Sequence, residues 1–169
     1  MATTFTKIAS VEVGAGGQAS IDFTTIPSTY TDLVLKLSLR DNRAQDFNDF
    51  SLKPNGSTSG FTSRAVIGNG TSASSGSYTT GLAGVVDSNT ATSSTFANIE
   101  IYIPNYAGSA QKSASIDSVS EKNATYAESW LIAYLWANTA AITSLSLVPN
   151  ASASFVQYST ATLYGISKS

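Results

Sequence analysis

Few residues in this chain are of types that do chemistry, and cysteine and histidine are absent altogether. Their absence removes disulfides, thiolate nucleophiles, zinc sites of the usual ligand set and every histidine-based acid, base or triad. What remains is a handful of constellations. Ser109-Ala110-Gln111-Lys112 has the Ser-x-x-Lys spacing of penicillin-recognising enzymes, but the sequence holds no Ser-Asp-Asn or Lys-Thr-Gly partner for it. Asp41, Asp46 and Asp49, with Asn42 and Asn48 between them, offer the oxygens that calcium takes. Their spacing is not that of an EF-hand, and Arg40 and Arg43 compete for the same carboxylates, so a solvated loop is the plainer reading. Glu100, Glu121 and Glu128 could in principle form the paired carboxylates of a glycosidase, and nothing in their spacing brings two of them together. Gly14-Ala15-Gly16-Gly17 is dense enough in glycine to cradle a phosphate, yet it lacks the spacing of either nucleotide motif and joins two strand-like runs instead of opening a helix. Asn55, Asn69, Asn123 and Asn150 each begin an Asn-x-Ser/Thr triplet, as chance provides in a chain so rich in Ser and Thr. The expectation is a protein with no catalytic, cofactor-binding or metal-binding residues, and not an enzyme.

Composition narrows the partners. Charged residues make up 12% of the 169-residue chain and the net charge is −2, against roughly a quarter charged in an average domain. A nucleic-acid binder would need a basic stripe, which this balance argues against. The surface must instead be built from Ser, Thr, Asn, Gly and Ala. Such a surface suits a protein that spends its life packed against neighbours, because a free monomer normally stays soluble through charge. The opening Met1-Ala2-Thr3-Thr4-Phe5-Thr6-Lys7 has no basic segment leading into an apolar one, and no apolar run approaches a membrane span. A soluble chain without a cleavable signal or membrane contact is expected.

The elements that position these residues read as strands. The chain is organised around Glu128 to Ile166, and most tightly around Ser129 to Ala137, which holds both tryptophans. As a strand this run puts Trp130, Ile132, Tyr134 and Trp136 on one face and Leu131, Ala133, Leu135 and Ala137 on the other, so both faces are apolar and a place in the middle of a core follows. A helix is the competing reading; the run spans only about two turns and is rich in aromatics, which favours a strand. Phe5 to Val13 and Gln18 to Phe23, separated by the glycine turn, are expected to pair as a hairpin. Asp32 to Arg40 carries the cleanest period-two signal, with Leu33, Leu35, Leu37 and Leu39 on one face and Lys36, Ser38 and Arg40 on the other. Residues 41–49 read as strand-free, Phe50 to Lys53 and Ser63 to Gly68 as short strands, and 69–77 and 87–95 as long surface loops. Phe96 to Ile103 alternates strictly. Ser113 to Lys122 starts in phase with Ala114 and Ile116 and then shifts at Val119, which suggests a bulge. Thr143 to Leu147 and Ser159 to Ile166 complete nine or ten strands in a single all-β domain over 1–169. A two-sheet antiparallel sandwich is the simplest architecture, a jelly roll its expected variant and a closed barrel the alternative.

Both ends of the chain then point to a family. Thr139-Ala140-Ala141-Ile142-Thr143-Ser144-Leu145-Ser146-Leu147, followed by Phe155 and Ser159-Thr160-Ala161-Thr162-Leu163-Tyr164-Gly165-Ile166, resembles the ending of many small virion proteins of tailed bacteriophages. Their pattern is "I-T-S-I-x-I" followed by "F-x-x-G-S-x-A-x-L-Y-G-I"; here Gln157-Tyr158 stands where a small residue and glycine are usual. The opening is similar too, in Ile8-Ala9-Ser10-Val11-Glu12-Val13 with its glycine turn and in Ile26-Pro27-Ser28-Thr29-Tyr30-Thr31-Asp32-Leu33. About the first and last forty residues are covered, and the middle is not. The resemblance implies a jelly-roll-like sandwich used as a virion building block, in head decoration, head fibre or tail, with no catalytic residues to carry over. A capsid decoration or cement protein is the expected role. Its partners would be the major capsid protein and copies of itself, a trimer being the first expectation, and it would sit on the capsid surface after synthesis in the bacterial cytoplasm. The alternative is a tail or fibre module that recognises host glycans, with Trp130, Trp136, Tyr78 or Tyr106 stacking on sugars.

Overall fold

The computed structural model describes residues 4–123 and 127–167, and among them every helix or strand is a strand. In chain order these are β1 (Phe5–Glu12), β2 (Ile21–Phe23), β3 (Asp32–Leu39), β4 (Phe47–Pro54), β5 (Phe61–Gly68), β6 (Ala73–Tyr78), β7 (Leu82–Asp87), β8 (Ala97–Ile103), β9 (Lys112–Ser120), β10 (Glu128–Trp136), β11 (Leu145–Pro149) and β12 (Thr160–Ile166). They form two antiparallel sheets, one of eight strands in the order β1-β12-β3-β8-β9-β10-β5-β6 and one of four in the order β2-β11-β4-β7. The expected all-β sandwich is the observed architecture. Most successive strands alternate between the sheets; the exceptions are β5–β6, β8–β9 and β9–β10, each a pair of antiparallel neighbours within the larger sheet.

The core follows from period two. Leu163, Leu35, Ile101, Ile116, Ile132 and Ala65 are paired in register from strand to strand across six strands of the large sheet, and all of them are buried. One inward position per strand thus makes an unbroken apolar row, which Ile21, Leu147 and Leu52 of the small sheet meet with a row of their own. Burying a Leu or Ile side chain is worth about 1.5–3 kcal/mol.

Several expectations are corrected. The runs Phe5 to Val13 and Gln18 to Phe23 do not pair with each other. β1 pairs with β12 and β2 with β11, so the glycine-rich link crosses from one sheet to the other. Alternation says which face of a strand is buried and nothing about its neighbour. β10 is a strand, as expected, and Trp130, Ile132, Tyr134 and Trp136 are buried, but its other face is not in the core: Leu131 is 60% exposed. β9 holds one register with both neighbours through Val119, without a bulge. Its phase is kept, with serine instead of an apolar residue at the buried positions 118 and 120. The stretch 41–49 is not strand-free, since β4 begins at Phe47. Most of 69–77 is strand β6.

Candidate interaction surface

The residues singled out for chemistry are dispersed, and several of them make structural contacts. Lys112 is buried, and its Nζ donates to the carbonyls of Gly108 at 2.6 Å, Thr139 at 3.3 Å and Ala110. Burial lowers the pKa of this amine, but Ser109 is exposed and the amine is aimed at main-chain oxygens. Glu100 is on the exposed face of β8, where it pairs with Lys36. Glu128 is on the buried face of β10 and accepts from Trp130 Nε1 at 2.8 Å. A sheet therefore separates these two carboxylates. Glu121 accepts from the Asn123 amide at 2.8 Å. The acid that Glu128 does influence is Asp49, whose pKa is raised first by burial and then by the Glu128 charge.

Asp41, Asp46 and Asp49, weighed for calcium and read as an ordinary loop, belong to no group of acids placed to hold a metal among the described residues. Asp41 is fully buried and accepts from Asn48 Nδ2 at 2.6 Å, the Arg43 amide at 3.2 Å and the Ser88 hydroxyl. Asp46 is on the surface, accepting from Thr90 Oγ1 at 2.8 Å. The asparagines of the glycosylation triplets close turns: Asn55 Oδ1 accepts from the Thr143 and Ser144 amides at 2.9 and 3.1 Å, and Asn69 Oδ1 from the Thr71 and Ser72 amides at 3.0 and 2.8 Å. Asn150 accepts from Ser51 Oγ at 3.1 Å, and the Asn123 triplet runs into residues outside the described ones. At the glycine loop, the Gly17 amide donates to Gly14 at 3.0 Å. Gly17 has φ +68° and lies so close to the Phe155 carbonyl that a Cβ would be 2.9 Å from its oxygen. Turn geometry accounts for the glycine there. The depression beside it, about 330 Å³, has Asn42, Ser154 and Gln157 in its wall and no charged side chain.

Two devices escaped the reading of the sequence. Arg40 is buried, and its guanidinium donates to the carbonyls of Ala91, Thr92 and Thr95 at 3.1, 2.8 and 3.0 Å. A charged group thereby anchors the expected surface loop 87–95, of which Asp87, Ser88 and Ala91 are buried. The second device seals β7, the outermost strand of the small sheet. Ser118 of β9 accepts from the Val85 amide at 3.1 Å and donates to the Val85 carbonyl at 3.2 Å, Ser63 of β5 donates to the Leu82 carbonyl at 3.0 Å, and Ser120 bonds the Asp87 carboxylate. Inward serines of the large sheet take the place of a missing neighbour strand.

The outer face of the large sheet is exposed along β9 and β10. On it, Lys36, Asn98, Glu100, Asp117 and Val119 surround a shallow depression of about 260 Å³. Beside this, Val66 and Leu131 are directly paired and each 60% exposed. No family model, curated protein or solved structure matches the chain. The aromatic residues offered for sugar stacking are mostly withdrawn: Trp130 and Trp136 are buried, and Tyr106, expected on a loop surface, is fully buried with its hydroxyl donating to the Pro27 carbonyl. Tyr78 is half-buried and stacks on Trp130, ring centres 6.1 Å apart.

Proposed function

We propose that this chain is a non-enzymatic structural protein of a tailed-phage virion, bound to the outside of the capsid as a decoration or cement protein. The observation that carries this reading is the junction of the two resembling segments. Residues 8–33 and 139–166, far apart in the chain, pack into one block in which β12 runs between β1 and β3 and β11 beside β2. Tyr30 lies over Gly165, whose Cβ would be 2.3 Å from the ring, and Thr31 donates to the Ile166 carbonyl at 2.8 Å across 135 residues of sequence. The motif residues are thus parts of a single packing unit, which supports a shared fold at both ends. With the hairpins β5–β6 and β9–β10 set aside, the remaining order β1-β12-β3-β8 over β2-β11-β4-β7 supports reading the sandwich as a jelly roll with two added hairpins. Such a module, poor in charge and repeated over many copies, binds through shape-matched contacts that are modest singly and tight as an array. Affinity for the assembled shell alone stabilises that shell by mass action.

The test mixes purified protein with capsids lacking it and measures occupancy and the temperature of shell disruption. Saturable binding with a raised disruption temperature is expected. Failure to bind capsids, with antibody labelling of tail tips, transfers the assignment to the tail or fibre recognition module.

A further inference from the structure

Two sheets have four outer edges, and three of them are closed to strand addition. β1 carries Lys7 and Glu12 and a register break between Lys7 and Ala9. β2 is three residues long with an exposed Asp22 at its centre. β7 is sealed by Ser63, Ser118 and Ser120. Charge, bulging, brevity and covering are the means by which natural sheets blunt their edges. Among the described residues, the fourth edge, β6, has none of them. Its six residues Ala-Ser-Ser-Gly-Ser-Tyr hold no charge and no proline, and they pair with β5 without a register break from Gly68↔Ala73 to Ser63↔Tyr78.

The direction of its free groups follows from the turn. The Asn69 amide donates to the Ser72 carbonyl at 3.1 Å, which makes 69/72 a hydrogen-bonded pair. Antiparallel alternation then leaves the N–H and C=O groups of Ala73, Ser75 and Ser77 pointing away from β5. These positions are symmetric about Ser75. A second copy meeting the same edge antiparallel would set Ser75 against Ser75 and Ala73 against Ser77. All six main-chain groups on each side would be satisfied, and no charge would meet its own image.

We propose that β6 pairs antiparallel with β6 of a second copy about a two-fold axis at Ser75, joining two eight-stranded sheets into one. The outer faces that carry Val66 and Leu131 then lie side by side on a continuous surface. The pairing is independent of the virion assignment, so failure of capsid binding leaves it standing.

Sedimentation of the purified protein over a concentration series, with Ser75→Pro and Ser75→Lys alongside, tests it. Proline at an outward-facing position removes a donor from the free edge and none from the β5 ladder. A reversible dimer is expected, weakened about ten-fold or more by either substitution, with the monomer's unfolding curve kept by the lysine variant. Amide exchange at Ala73, Ser75 and Ser77 should slow as concentration rises. A wild-type monomer up to about 1 mM, a dimer indifferent to both substitutions, or a trimer indifferent to them overturns the proposal.

Discussion

At the scale of single residues, the positions that look most like chemistry are fasteners. Gly165, a residue of the closing motif, is likewise structural, because its Cα supports the ring of Tyr30 with no room for a Cβ. Gly165→Ala should cost about 1–3 kcal/mol through overpacking, read as a lower urea midpoint, and the loss should shrink in a Tyr30→Ala background that frees the space. Asp49 gives a pH test. Its folded pKa is raised by burial and by Glu128 from the ordinary 3.8, so the native state disfavours the ionised form. The destabilisation is absent below the unfolded pKa and grows as pH rises through the folded one. Asp49→Asn should therefore unfold at a higher temperature than the wild type at pH 7, with the gap closing as pH falls toward 4. An equal gap at both values would place the effect elsewhere. The fates of Lys112, Asp41 and Asn55 were not legible in the sequence, since each bonds main-chain or side-chain groups that only the fold brings near. Gly165 was legible as part of a motif, without its reason.

At the scale of the strand, pattern was a good guide to faces and a poor one to neighbours. β3 and β8 were read nearly to the residue because leucine and isoleucine occupy all their inward positions except Ala97. β6 was invisible, since Ser, Gly and Ala on an edge have no apolar alternation to detect, and β7 because all six of its residues are buried. The misreading of β10 is instructive. Leu131 and Leu135 look like core residues in the sequence, yet Leu131 stands next to Val66 on the outside of the sheet. The two faces predict opposite outcomes. Ile101→Asp or Leu35→Asp should abolish soluble folding, because each buries an unpaired charge at a cost of several kcal/mol, whereas Leu131→Asp should change stability by no more than about 0.5 kcal/mol. Chemical denaturation of the three variants separates the faces, and a collapse of Leu131→Asp would mean that the outer face is covered in solution.

For the whole molecule, the low charge has a consequence for assembly. Surface attraction between ions weakens as the Debye length falls from about 10 Å at 0.1 M salt to about 3 Å at 1 M. A contact formed by a chain with 9 basic and 11 acidic residues should lose little over that range. Under the proposed capsid role, occupancy measured at both salt concentrations should agree within about three-fold; a steep decline would assign the contact to the few charges, with the exposed Lys36–Glu100 pair and Asp117 the first suspects.

The placement of β1 also sets a schedule for synthesis. Its one neighbour in the sheet is β12, so β1, made well before that strand, waits for residues 160–166 before it has anything to pair with. β3, formed early, likewise lacks one of its two neighbours until then. Domains made from such distant pairings fold slowly, in roughly milliseconds to seconds, and through that interval the nascent chain carries unpaired apolar strands with little charge to keep copies apart. Crowding of unfinished chains is the hazard of such an order, and the pairing of β12 is what ends it.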